Sequence, residues 1–161
     1  MPEFDPKTPA ASHVQLSVVM NPEHANIHGN VHGGVVMKLV DEAGAIAAMR
    51  HARAQVVTVV MDSMTFMEPI YVGNLVTLDA EVTWCGRTSM ETRVLVTAED
   101  PITGSRTHTN TAYLVYVALD GERRPQEVPP LQLTTPEEIA RHNDAKKRQQ
   151  YRKHQRASER L

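Results

Sequence analysis

Residues 33–53 read GGVVMKLVDEAGAIAAMRHAR, a stretch without proline and poor in β-formers after Val40. Apolar side chains fall nearly all round a helix built on it: Val36, Leu39, Val40, Ala43, Ala45, Ile46, Ala47, Ala48 and Met49. A helix that is apolar on most sides is buried on most sides. About 20 residues make a rod of roughly 30 Å. The surroundings follow another period. Val76, Leu78, Ala80, Val82 and Trp84 alternate with Thr77, Asp79, Glu81 and Thr83, and Met90, Thr92, Val94, Val96 and Ala98 alternate with Glu91, Arg93, Thr97 and Glu99. Period two marks strands with one buried and one wet face. Further strands are expected near Val14–Val18, Val56–Met64 and Thr107–Leu119, the last apolar on both faces from Ala112 to Val117 and therefore central. One buried helix among about five antiparallel strands predicts an α+β fold, its long curved sheet wrapped around the helix.

The chain of 161 residues has the size of one domain. With 41% hydrophobic and 22% charged residues, wholesale disorder is excluded. Val35–Met49 is too short to span a bilayer and is interrupted by Lys38, Asp41 and Glu42. A single cysteine, Cys85, excludes an internal disulfide framework. The N-terminal residues show no signal-peptide pattern, so a cytoplasmic location is expected. Charge is uneven. Residues 1–134 hold 9 Lys and Arg against 15 Asp and Glu, whereas residues 135–161 hold 8 against 4. The acidic body argues against nucleic acid as a ligand. The basic tail either binds an anion such as a phosphate or is a solvated helix face. Four segments result: a loose, flexible arm over residues 1–12; the periodic domain over 13–120; an extended, proline-rich connection over 121–134; and a basic C-terminal helix over 135–161. The helix starts at Thr135-Pro136-Glu137-Glu138, an N-cap followed by proline and acids in the first turn. It is too poor in apolar residues to bury much, and should lie on the surface or against a neighbouring subunit.

Two places suggest chemistry. The loop from Asn21 to Gly34, NPEHANIHGNVHGG, leads into the buried helix. A helix N-terminus leaves backbone N–H groups unpaired, and Gly33 and Gly34 let a ligand oxygen approach them as it would in an oxyanion hole. The same glycines would also suit a plain tight turn. The second place is Asp41, two turns into the helix, beside the small Gly44 and Ala45. Glu42 can pair with Lys38 at helical spacing. A carboxylate on a buried helix must be paired, hydrogen-bonded or used. His24, His28 and His32 recur every four residues, but Pro22, Gly29 and the paired glycines argue against the helix a metal face would need, so no metal is expected. Cys85 reads as a packed thiol. No G-x-S-x-G elbow, Walker loop or dinucleotide fingerprint occurs.

The string from Asn26 to Ala45, NIHGNVHGGVVMKLVDEAGA, resembles the hotdog-fold acyl-CoA thioesterases, in particular the cytosolic, brain-type long-chain acyl-CoA hydrolases and their bacterial relatives. The resemblance extends through FMEPIYVG (66–73), CGRTSME (85–91), DPITG (100–104), TNTAY (109–113) and the terminal basic helix. It implies a hotdog fold, dimers whose sheets join, a trimer of such dimers, and hydrolysis of fatty acyl-CoA to free acid and CoA. It also implies a site shared by two subunits, with Asn26 from one and Asp41 from the other. Gly34 or Gly33 would hold the thioester carbonyl, Asp41 would activate water or attack directly, and Asn26 would orient the water or the carbonyl. CoA would be substrate and product, with no further cofactor. Its phosphates need basic partners, for which Arg87, Thr88 and Ser89 after the Gly86 break, Arg106 and Asn110 on the next strand, and Lys146, Lys147 and Arg148 in the tail are candidates. The acyl slot is expected near Val57, Val59, Met61 and Met64. Two rival functions use the same residues: an acyl-CoA hydratase or dehydratase, which needs a His paired with an acid such as His32 with Asp41, and a non-catalytic acyl-CoA sensor with Asp41 locked to Lys38.

Overall fold

The computed structural model describes residues 4–159. Its elements are a short helix α1 (Pro9–Ser12), β1 (Val14–Val19), the long helix α2 (Gly33–Ala52), β2 (Gln55–Met61), β3 (Leu75–Cys85), β4 (Ser89–Glu99), β5 (Arg106–Leu119) and the helix α3 (Pro136–Ser158). The five strands form one antiparallel sheet in the order β1-β3-β4-β5-β2. The α+β hotdog architecture read from the sequence is therefore present, but the strands do not pair in simple succession. The chain crosses from β2 at one edge to β3 through residues 62–74, so β2 pairs with β5 and β1 with β3.

Curvature has local causes. Register shifts interrupt β2 between Thr58 and Val60, β3 between Val82 and Trp84, and β5 between His108 and Asn110. Each such bulge bends its strand and sharpens the twist. The concave face then closes on α2. Val76, Leu78, Ala80 and Val82 of β3, Met90, Val94 and Val96 of β4, and Leu114 and Tyr116 of β5 are buried against Val36, Val40, Ala43 and Ala47. Short side chains on α2 let the helix sink into the curved sheet. His32 caps its start, and Arg53 ends it in the left-handed region at φ 53° with its N–H donating to the Met49 carbonyl.

Two expectations are corrected. The arm over residues 1–12 is tied down from Lys7 onward: the Lys7 ammonium donates to the His51 carbonyl at 2.6 Å. Lys7 also bridges Leu131, and the buried Ser12 hydroxyl accepts from Val82 N–H at 3.1 Å. Residues 1–3 lie outside the described residues. Glu91, expected on the wet face of β4, is fully buried. The reason is α3, which starts at Thr135 with a capping box to Glu138 and lies on the convex face of the sheet. Glu91 accepts from Arg148 at 2.7 Å and from Arg152 at 2.8 Å. Arg152 also binds Asp62 at 2.6 Å, the Arg148 guanidinium stacks 3.6 Å over the Tyr113 ring, and the His142 ring donates to the Thr83 carbonyl at 3.1 Å.

Candidate active site

Asp41 is half-buried on the face of α2 turned toward β2 and β5. Its Oδ1 accepts from the Thr58 hydroxyl at 2.8 Å and from the Tyr116 hydroxyl at 3.0 Å, and Tyr116 also reaches the Asp41 carbonyl at 2.9 Å. Thr58 and Tyr116 are direct cross-strand partners, so one register places both hydroxyls over the helix. The bulge in β2 follows Thr58 immediately, as befits a device that re-aims a side chain. Gly44 makes the arrangement possible. A Cβ there would stand 2.6 Å from the Tyr116 hydroxyl and 2.8 Å from that of Thr92. The space expected beside Asp41 is thus filled by a phenol rather than left open. Lys38 pairs with Glu42 at 3.6 Å, and among the described residues no cation bonds Asp41. Burial and the neighbouring Asp41 carboxylate hold the Tyr116 hydroxyl far above its ordinary range, so it is a donor at any working pH.

Asn26 lies in the loop before α2. Its Oδ1 accepts from His28 N–H at 2.9 Å, which leaves the amide NH2 as its available group. Asn26 and Gly33 line one cavity of about 390 Å³ with Val36, Phe66, Met67 and Pro69, and the Phe66 ring rests against Gly33. Gly34 does not offer its N–H, which donates to His32 Nδ1 at 2.9 Å. Of the two glycines, Gly33 is therefore the one whose N–H has no partner among the described residues. His24 accepts from Asn21 N–H at 2.9 Å, so two of the three spaced histidines serve as loop and helix caps. Among the described residues no group of three or more His, Cys, Asp or Glu is arranged to hold a metal. Within one protomer Asp41 does not line the cavity of Asn26 and Gly33. Asp41 lies eight helical steps beyond Gly33, about 12 Å along the axis.

The candidate CoA residues divide. Arg87 and Thr88 in the turn after β3 and Ser89 at the start of β4 sit together at a cavity of about 470 Å³ shared with Trp84, Lys153 and Arg156. Arg87 is 76% exposed and pairs loosely with Glu127 at 3.4 Å. Arg106 is elsewhere: it pairs with Glu99 at 2.9 Å at the opposite end of β4, roughly 33 Å from Ser89 at strand spacing. Asn110 is buried, and its amide donates to the Thr65 carbonyl, holding the 62–74 crossing rather than facing solvent. In the tail, Lys147 pairs with Asp144 at 3.0 Å and Arg148 with Glu91, while Lys153 and Arg156 take the place by Arg87 expected of their neighbours. A larger cavity of about 520 Å³ lies between α3 and β2, lined by Val59, Asp62 and Tyr151, and holds neither Asp41 nor Asn26. Cys85 Sγ lies 3.3 Å from His51 Nε2, and burial pushes the thiol up to about 12, as a packed cysteine requires.

Sequence reading missed Thr58, Tyr116, Lys153 and Arg156. The first two carried a signal: each is a hydroxyl inside an apolar run, VVTVV and LVYVA.

The family model of the thioesterase superfamily matches residues 28–105. An uncharacterised acyl-CoA thioester hydrolase of Bacillus subtilis is 41% identical over 132 residues, covering 82% of this chain and 77% of that one. The cytosolic acyl coenzyme A thioester hydrolase of mouse is 35% identical over 151 residues, 91% of this chain; the chain spans only 40% of its length. Among solved structures, the acyl-CoA hydrolase of Staphylococcus aureus, in complex with butyryl-CoA, CoA and CoA disulfide, superposes with a TM-score of 0.90. It is 33% identical, covering 97% of this chain and 95% of that one. A hexameric acyl-CoA thioesterase superposes at 0.91 and 34% identity, over 96% and 99% of the two chains. Solved variants of the S. aureus enzyme replace an asparagine, an aspartate and a threonine by alanine, at intervals of 15 and 17 residues. Those are the intervals between Asn26, Asp41 and Thr58 here. With the hotdog sheet, the polar cluster on its buried helix and these relatives in agreement, the chain belongs to the acyl-CoA thioester hydrolases of the thioesterase superfamily.

Proposed function

We propose that this protein hydrolyses fatty acyl-CoA to free fatty acid and CoA at a site built by two protomers, Asp41 from one and Asn26 with Gly33 from the other. One observation carries this reading: Asp41 is a half-buried carboxylate bound by two hydroxyls and by no cation among the described residues. A general base must stand within about 3 Å of the proton it takes, or one water away. Asp41 is several times that distance along α2 from the Gly33 N–H of its own chain, so the carbonyl cradle must come from a second copy. The β2 edge, with Val57 and Val59 more than a third exposed, suits such pairing. The hexameric relative favours dimers assembled further into a trimer of dimers.

In the reaction, the thioester oxygen accepts from Gly33 N–H and the Asn26 amide. Asp41 takes a proton from water as the water oxygen bonds the carbonyl carbon. The tetrahedral intermediate then expels the CoA sulfur, which leaves with that proton. Direct attack by Asp41 would instead form an anhydride, which water cleaves to the same products. The nucleotide end of CoA would lie by Arg87, Thr88 and Ser89, with Lys153 and Arg156 adding charge. Arg106 and Asn110 are not needed there within one protomer. CoA is substrate and product, so no cofactor is proposed. A cytoplasmic location fits, and none of the described helices is long and apolar enough to cross a membrane. The sensor and hydratase readings lose their support: Lys38 is held by Glu42, and the His32 ring caps α2.

Mixing the inactive variants Asp41→Ala and Asn26→Ala tests both the activity and the shared site. Exchange of subunits in an isologous dimer rebuilds one intact site per hybrid, so thiol release from acyl-CoA should return to about a quarter of the wild-type rate. No recovery after verified exchange overturns the two-protomer assignment. No thiol release from any acyl-CoA by the wild type overturns the activity.

A further inference from the structure

We propose that Tyr116 is a positioning residue that fixes which oxygen of Asp41 reacts. The inference rests on the reading of Asp41 as the reacting carboxylate. Both hydroxyls, Thr58 and Tyr116, converge on Oδ1, while Oδ2 has no partner among the described residues. A carboxylate whose one oxygen holds two donors cannot rotate freely about its terminal bond. Oδ1 is spent on the scaffold and Oδ2 is presented to water or to the thioester carbon. Tyr116 is the rigid half of this clamp. Thr58 stands on an exposed edge strand. Tyr116 is fully buried on a central strand, and its one proton is shared between Oδ1 at 3.0 Å and the Asp41 backbone carbonyl at 2.9 Å, so it ties the carboxylate to the helix that carries it. Gly44, one turn along, is the backbone position that admits the phenol.

Among the described residues the two hydroxyls have no charged competitor for Asp41. Charged groups on the elements packed around α2 are engaged elsewhere. Lys38 and Glu42 pair on the helix itself, Asp79 of β3 binds His13 and Gln15, and Glu81 pairs with Arg93 and Arg141. Glu91 of β4 binds Arg148 and Arg152 on the convex face. The Asp41 carboxylate is therefore held by Thr58 and Tyr116.

Two substitutions test this with steady-state thiol release, read as kcat against KM. Tyr116→Phe removes only the hydroxyl. It should lower kcat about tenfold with KM nearly unchanged, the scale of one lost hydrogen bond to a charge. Gly44→Ala keeps the phenol but sets a Cβ 2.6 Å from its hydroxyl, so it displaces the donor and should lower kcat in the same way. That second arm stands even if the phenylalanine variant fails to fold. Wild-type kcat in a folded Tyr116→Phe, or in a folded Gly44→Ala, overturns the proposal. Asp41→Asn separates the two levels: if it remains active the reading of Asp41 fails, and if it is inactive while Tyr116→Phe and Gly44→Ala behave as wild type, only the role of Tyr116 fails.

Discussion

The two faces of the sheet hold their helices by opposite means. The concave face grips α2 chiefly with apolar side chains, and among the described residues Asp41 is the charged group of α2 that bonds to the strands. The convex face grips α3 with charge: Glu91 is enclosed by Arg148 and Arg152, and Asp62 shares Arg152. Apolar burial is non-directional and tolerates some sliding. Bidentate guanidinium–carboxylate contacts do not. The inner helix is therefore held by volume and the outer one by geometry. Replacing a buried ion pair with packed apolar groups is often neutral or stabilising, whereas breaking it is costly. The convex arrangement then specifies where α3 lies more than it adds stability.

The largest expected effect is on that outer face. Glu91→Gln leaves two guanidiniums without their shared carboxylate and should cost about 3–5 kcal/mol in urea unfolding. A Glu91→Met, Arg148→Leu, Arg152→Met triple variant should recover most of the loss if the network specifies rather than stabilises. On the inner face, Asp41→Ala should cut turnover at least about a hundredfold with stability unchanged or raised, measured by thiol release beside thermal unfolding. Next is a pH effect at the seam between the faces. Burial holds the His51 ring below its ordinary value near 6.5, against a raising contribution from its bond to the Pro129 carbonyl. The folded state then binds fewer protons than the unfolded one. Stability is complete above about 6.5 and falls as pH drops toward the lowered folded value. His51→Gln should flatten that slope in urea titrations between pH 7 and 5. The smallest effect is at the rim: Arg87→Ala should raise KM for acyl-CoA roughly threefold with kcat unchanged, while Arg106→Ala should leave KM alone. Equal effects of the two arginines would show that the strand ends do not separate their roles.

The concave half was legible because its forces repeat along the chain. Period two gave β3 and β4, and the all-round apolar surface of residues 33–53 gave the buried helix. Asp41 stood out as a charge where charge is expensive, and Asn26 and Gly33 as groups at a helix start. Thr58 and Tyr116 lie 17 and 75 residues from Asp41 and meet it only because β2 crosses to pair with β5. No local pattern encodes that crossing. The same limit hid the burial of Glu91, whose alternation with Met90 and Thr92 reads as solvent-facing until a helix from residue 136 onward covers it. Arg106 and Arg87 are both candidates for the CoA phosphates by sequence, but hairpin connectivity puts the start of β5 beside the end of β4, a full strand length from the turn that holds Arg87.

Strand β2 ends the sheet, and beyond Thr58 its backbone groups on the outer side have no strand to pair with in a single chain. The segment that braces Asp41 is thus also an edge ready to join another polypeptide. If the site is shared between protomers as proposed, a copy diluted away from its fellows loses its chemistry and the cover on that edge in the same event.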